Sequence, residues 1–233
     1  MSLESKIFVK HHLGMGDIIV HNGMVRKIAE DNPNSEIFLA SKHTNLKNTK
    51  YMFRDNPRII VIGVLDDGEV SNITNSNNFD KIITSHSCDS NPYNYDNYFD
   101  DGFYLFAKID PIVKTQYFYI ERDHELENRV FDELITSKGI TDYLFVHEKS
   151  DIGIKINRDR LDSSLPIITA DPKYGIFELL KVLEMAKSVN VISSSFLSLM
   201  MCKKYNQNVF AHMYCDRNHL APYIKKHDIE VLL

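Results

Sequence analysis

Cysteine is scarce. Of the 233 residues three are cysteines, Cys88, Cys202 and Cys215, widely spaced and without a Cys-x-x-Cys. That odd, scattered set argues against a disulfide scaffold and against a cysteine zinc site, and it fits a reducing compartment. Long apolar runs are missing as well, none approaching the about 18 residues of a membrane span. The opening MSLESKIFVK passes straight into a strand-like pattern with no signal peptide, so a cytoplasmic location is expected. No Lys/Arg tract stands out against a net charge of −5 from 27 basic and 32 acidic residues, so a nucleic-acid partner is not expected.

Several chemical signatures are absent too. Gly14 and Gly16 do not extend to a dinucleotide fingerprint, because the position three after Gly16 is Ile19. There is no GxxxxGK[ST] phosphate loop, so neither NAD nor ATP is supported. No HxxxH carries a Glu beside it, and no Asp-x-Asp offers a carboxylate pair for Mg²⁺; no metal and no cofactor are expected. A GxSxG nucleophile elbow is lacking, which lowers a hydrolase reading.

What is present is a mixed, core-forming composition, 43% hydrophobic and 25% charged. That excludes wholesale disorder. Apolar runs at Ile7–His12, Glu36–Ala40, Arg58–Val64 and Lys81–Ser85 read as strands. Helical spacing fills Ile18–Glu30 and His43–Phe53, whereas Leu65–Asn78 is polar and Asn-rich and reads as a loop. Asp123–Ile135 is an amphipathic helix, and Ser137-Lys138-Gly139 after it marks a boundary. The alternation then restarts. Strands are expected at Tyr143–His147, Leu165–Thr169, Asn190–Ile192, Asn208–His212 and Ile229–Leu233, with helices at Tyr174–Ser188, Phe196–Tyr205 and around Leu220–Lys226. Strands alternating with helices predict an α/β fold of two Rossmann-like parallel-sheet halves, residues 1–138 and 139–233.

Ligands of open parallel sheets bind beyond the carboxyl ends of the strands, which directs attention to three strand-to-loop junctions. The first is Gly14-Met15-Gly16-Asp17, where two glycines let the backbone approach a ligand and a helix begins. Asp17 either caps that helix or faces the ligand. The second is His147-Glu148-Lys149-Ser150-Asp151, whose imidazole, cation and hydroxyl suit a phosphate, with Arg158 and Arg160 following; a solvated loop is the plainer reading. The third is Ser193-Ser194-Ser195 before a helix. One hydroxyl is expected to cap it, leaving two for a ligand such as a phosphate.

The strand, Gly-x-Gly-Asp and helix carrying Arg26 resemble the opening of GT-B glycosyltransferases of the ADP-heptose–lipopolysaccharide heptosyltransferase type. The segment Phe177–Leu180, Ala186-Lys187-Ser188 and Asn190–Ser195 is similar to the helix–strand–serine segment of GT-B donor domains. Val146-His147-Glu148-Lys149 resembles the strand-end His-x-Arg-Arg of GDP-fucose-dependent fucosyltransferases, with Lys149 at the first Arg and Ser150 at the second. The resemblance implies a metal-independent, inverting glycosyl transfer from a nucleoside-diphosphate sugar to a glycan or other hydroxyl acceptor. It implies Asp17 as base, close backbone at Gly14 and Gly16, and a second-half donor site of His147, Lys149, Ser150, Arg158 and Ser193–Ser195. The chain departs from the family in being short and in lacking the Arg pair. A non-catalytic GT-B-like nucleotide-binding or interaction module is the rival reading, and a sugar-nucleotide epimerase a third.

Overall fold

A computed structural model describes residues 5–76, 79–85, 99–149, 153–214 and 221–233. The chain divides into two units, one ending at Glu121 and the other starting at Arg122.

The first unit runs β1 (Ser5–Lys10), α1 (Met15–Val20), α2 (Asn22–Asp31), β2 (Ser35–Lys42), α3 (Leu46–Phe53), β3 (Ile59–Val64), α4 (Asp67–Asn75), β4 (Lys81–Thr84), α5 (Phe99–Phe106) and α6 (Val113–Gln116). Its strands form one parallel sheet in the order β3-β2-β1-β4. Three consecutive buried residues in β1, Ile7, Phe8 and Val9, show why the sequence reads as an unbroken apolar run: helices cover both faces. Strand order reverses between β1 and β4, the switch point where such sheets open a crevice.

Two expectations change here. Leu65–Asn78 is not a loop, because α4 occupies Asp67–Asn75. Asp66 caps α4 by accepting from the Glu69 N–H at 3.0 Å, and the Glu69 carboxylate accepts from the Leu65 N–H at 2.8 Å. This is a variant of the capping box in which the carboxylate reaches the residue before the cap, and its signal, Asp66-x-x-Glu69, stands in the sequence. Val70 and Ile73 then pack on Phe8, Phe38 and Ile62. Nor is the helix after β1 continuous from Ile18 to Glu30. It breaks at His21, where the Tyr104 hydroxyl enters the backbone ladder: Met24 N–H donates to it at 3.1 Å and it donates to the Val20 carbonyl at 2.7 Å. A side chain inserted into an i→i−4 bond is a sufficient cause of a helix break.

Beyond the break α2 packs directly on the backbone of α6. A Cβ on Gly23 would lie 2.4 Å from the Val113 carbonyl oxygen and 2.9 Å from that of Lys114. Backbone cannot yield as a side-chain tip does, so Gly23→Ala is expected to destabilise this unit by about 1–3 kcal/mol. Urea unfolding followed by exchange protection of residues 22–31 would show it, and an unchanged midpoint would contradict the packing.

The second unit runs α7 (His124–Leu134), β5 (Leu144–His147), β6 (Ile167–Thr169), α8 (Leu180–Met185), β7 (Ser188–Val191), α9 (Ser195–Cys202), β8 (Asn208–His212), α10 (Ala221–Ile224) and β9 (Glu230–Leu232). Its parallel sheet has the order β6-β5-β7-β8-β9, with the switch point between β5 and β7. The helix expected over Tyr174–Ser188 is confined to α8. Turns closed by Tyr174 N–H to Asp171 and Glu178 N–H to Gly175 precede it, and Ser188 already belongs to β7.

The division also falls earlier than the expected Lys138–Gly139. Arg122 donates to both oxygens of the buried Glu127 carboxylate and, at 2.7–2.8 Å, to Glu184; Lys203 closes the group on Glu184 at 2.7 Å. These bonds fasten α7 to α8 and α9. Gly139, with φ 66°, ends the helical turn after α7 and is not a linker.

Candidate functional site

In the first unit β1 stops at Lys10, so His11 and His12 lie past the strand end and not within it, as the reading of Ile7–His12 had placed them. Gly14 is the N-cap of α1, in extended backbone and with no side-chain capping bond. Asp17 is therefore not the cap. It stands at the third helical position, half-buried, where a carboxylate meets the positive end of the helix. Its Oδ2 reaches back so far that a Cβ on Gly14 would lie 2.5 Å from it, which is the close approach the glycine permits. Gly16 lies between them in the same turn.

Around this turn is a buried set the sequence reading left unassigned. His21 Nδ1 is 2.6 Å from the Asp17 carbonyl and its Nε2 is 2.7 Å from Ser85 Oγ, just past β4. The His11 ring lies 5.1 Å and the Phe103 ring 4.9 Å from that imidazole. His11 is buried. Its Nδ1 donates to the His12 carbonyl at 2.6 Å, and its Nε2 is buried without a partner among the described residues. Burial, opposed by the bond to His12, pushes the His11 pKa down to about 4, so the ring is neutral at pH 7. Arg26 is not part of this crevice. Its guanidinium holds Asp55 bidentately at 2.7 and 2.8 Å, donates to the Met52 and Tyr119 carbonyls and lies over Phe53 and Tyr119, tying α2 to its neighbours.

In the second unit the switch point brings His147 and the serine run together at adjacent strand ends; the Ile192 N–H donates to the His147 carbonyl. The His147 ring lies 4.4 Å from that of Phe196, and its Nδ1 is buried without a partner among the described residues. Burial, with the nearby Lys149 charge, lowers its pKa to about 4. Ser194 is the N-cap of α9 but makes no side-chain capping bond, which corrects the expectation that one serine is consumed in this way. Its Oγ is instead buried and without a partner among the described residues. Ser193 and Ser195 flank it, half-buried.

Glu148 follows β5 directly. Its carboxylate accepts from the Ile156 N–H at 3.0 Å and from Arg158 at 2.7 Å. Arg158 is thus paired within its own loop through one guanidinium nitrogen, and its side chain stays 45% exposed. Lys149 is exposed and its backbone forms a two-bond bridge with Ile154; Ser150 lies outside the described residues. Arg160 lies over Tyr214 and donates to the Leu233 carbonyl.

Behind the switch point a chain of polar groups runs through the core: Asn157 N–H to Tyr214 Oη, Tyr214 O–H to His212 Nδ1, His212 Nε2–H to Asn190 Oδ1, and Asn190 Nδ2 to Ser188 Oγ. Burial beside the Arg160 charge lowers the His212 pKa to about 4, so the ring is neutral at pH 7 and the bonds run in these directions. The signal was an Asn inside the apolar strand β7.

Among the described residues no group of three or more His, Cys, Asp or Glu is arranged to hold a metal ion, and no helix is long and apolar enough to cross a membrane.

No protein-family model matches the chain, and no curated protein matches it in sequence. Solved structures do match. A family 9 glycosyl transferase from Veillonella parvula has a TM-score of 0.53 and 14% identity, over 91% of this chain and 81% of that one. The ADP-heptose lipopolysaccharide heptosyltransferase II of E. coli has a TM-score of 0.52 and 8% identity, over 98% and 90%. The iron-containing dodecameric glycosyltransferase TibC of enterotoxigenic E. coli has 0.56 and 7%, over 90% of this chain and 61% of that chain. The fold is of the GT-B type. The heptosyltransferase likeness is one of architecture at identities of 14% and below.

Proposed function

We propose that the chain is a glycosyltransferase that moves a sugar from a nucleoside-diphosphate sugar to a hydroxyl acceptor. The observation that carries the donor half is the pair of buried atoms without a partner among the described residues, His147 Nδ1 and Ser194 Oγ, at the switch point of the second sheet. Leaving such atoms unpaired costs about 1–3 kcal/mol each, a cost a bound ligand relieves. The open N–H groups at the start of α9 and the Lys149 ammonium give that ligand an anionic character. The departing diphosphate is received by Lys149 and by Ser193, Ser194 and the α9 amides, and the reaction is metal-independent, since no Asp-x-Asp supplies a metal-holding pair. Asp17 in the first unit takes the proton of the acceptor hydroxyl as its oxygen bonds to the anomeric carbon and the bond to the diphosphate breaks. Displacement from the opposite face inverts the anomeric centre.

Glu148 competes with a diphosphate for the Arg158 guanidinium, and that favours a second reading, a nucleotide-binding module without turnover. Calorimetric titration with ADP, GDP, UDP and CMP tests the donor half. One nucleotide is expected to bind selectively. Loss of one charge-assisted contact in Lys149→Ala should weaken it by about tenfold or more. Failure of all four to bind would overturn both readings.

A further inference from the structure

The turn bearing Asp17 is held in an unusual manner. Its helix ends after six residues, because the Tyr104 hydroxyl replaces the direct Met24 to Val20 backbone bond. One turn earlier the Asp17 carbonyl accepts twice from the same residue, from the His21 N–H at 3.0 Å and from His21 Nδ1 at 2.6 Å. A carbonyl only accepts, so Nδ1 carries the ring proton. In the neutral imidazole Nε2 is then the acceptor for the Ser85 hydroxyl, 2.7 Å away and nearer than the Lys10 carbonyl, the other acceptor within reach of that hydroxyl at 3.2 Å. Ser85 follows β4, and its N–H donates to the Lys10 carbonyl of β1 at 3.0 Å. A connected path thus runs from the paired ends of β1 and β4, through one hydroxyl and one imidazole, to the peptide of Asp17.

The path has no slack. His21 and Tyr104 are fully buried and Ser85 is 1% exposed, while the rings of His11 and Phe103 hold the imidazole on two sides. Asp17 itself is half-buried with its carboxylate folded toward Gly14, so the position of its peptide sets where that carboxylate points.

We infer that His21, backed by Ser85, is a positioning residue for Asp17, fixing the Asp17 carboxylate relative to the carboxyl ends of β1 and β4. The inference rests on the reading of Asp17 as the base. Its chemistry follows from the geometry: His21 touches no reacting atom and exchanges no proton with substrate. It acts by denying the Asp17 turn the freedom of a short helix end. Displacing a reacting group by about 1 Å costs about a hundredfold in rate, so the effect belongs in kcat.

The experiment compares His21→Leu, His21→Asn and Ser85→Ala with the wild type in the full chain. Turnover is read as nucleoside diphosphate released from ADP-, GDP- and UDP-hexoses, and nucleotide affinity is read by calorimetry. In parallel the carboxyl ¹³C resonance of Asp17, assigned with Asp17→Asn, reports carboxylate placement without any activity. His21→Leu is expected to lose about a hundredfold in kcat with donor KM and nucleotide Kd unchanged, and to shift the Asp17 resonance. His21→Asn, which keeps a donor near the place of Nδ1, is expected to recover at least tenfold of that loss. Ser85→Ala, the mildest variant, keeps the fold and falls between. Unchanged kcat and an unmoved Asp17 resonance in folded variants would overturn the inference, as would KM, Kd and kcat declining together with no rescue by asparagine. A wild type that turns over none of the donors would instead overturn the assignment of Asp17 as base. The resonance would still decide whether His21 places it.

Discussion

Asp17→Asn is expected to leave the fold and nucleotide affinity intact and to lower turnover by about 10²–10⁴-fold, the range for loss of a positioned general base. The substitution keeps the shape of the side chain and removes its charge. At the third position of α1 that charge contributes about 0.3–1 kcal/mol through the helix end, too little to unfold the unit. Gly14→Ala provides the complementary experiment. A Cβ there would lie 2.5 Å from Asp17 Oδ2, and the flexible carboxylate must swing aside. The variant keeps the charge, loses its placement, and is expected to share the turnover defect without the loss of a titrating group. Steady-state kinetics with calorimetric Kd values on both variants would test this. Full turnover in a folded Asp17→Asn protein would remove Asp17 from the role of base.

The second large effect is an acid sensitivity divided unequally between the units. His147 and His212 in the second unit are held near pKa 4 by burial, whereas in an unfolded chain they titrate near 6.5. As pH falls from 6.5 toward 4 the unfolded form gains two protons that the folded form refuses, so stability present above 6.5 is progressively lost. Two protons correspond to about 2.7 kcal/mol per pH unit. The first unit behaves otherwise. His11, near 4, works in the same direction, but Asp100 opposes it. Burial, only partly offset by its ion pair with Lys114, raises its carboxyl to about 6, so the folded form holds a proton that the unfolded one releases. For these two groups uptake and release nearly cancel between pH 4 and 6. Hydrogen exchange at pH 7, 6 and 5 is therefore expected to show protection falling steeply in residues 122–233 and little in residues 5–121. Equal loss in both units would contradict the buried, neutral state of His147 and His212.

Local signals carried the architecture. Ile7-Phe8-Val9 and Leu144-Phe145-Val146 announce strands covered on both faces, and the restart of the alternation announces a second sheet. Gly14, Asp17, His147 and the serine run were legible as candidates because strand ends before helices are where parallel sheets present their chemistry. What stayed hidden depends on residues far apart in sequence. The break at His21 is made by Tyr104, about eighty positions on, and the boundary at Arg122 is set by its reach to Glu184. Some misreadings had a nearer remedy. Glu148 stands ten residues before Arg158 and pairs with it, and the Asp66-x-x-Glu69 box lay in the stretch read as loop. The third serine junction misled for another reason: Ser194 occupies the cap position, and only its side-chain geometry shows that the hydroxyl does not cap.

The parallel pairing of β1 with β4 also sets an order of assembly. During synthesis at about 5–20 residues per second, β1, β2 and β3 are complete by Val64, and their pairing needs nothing further along the chain. Lys10 meets Thr84 only after another twenty residues have emerged, and Ser85 follows directly. Until then the Gly14–Asp17 turn exists without its tether, and Tyr104, which divides the helix, arrives later still. A nascent chain stopped after β3 therefore carries three paired strands and the whole Gly-x-Gly-Asp segment, yet no crevice. Pieces that leave the ribosome long after it are thus the ones that give the earliest segment of this unit a fixed shape.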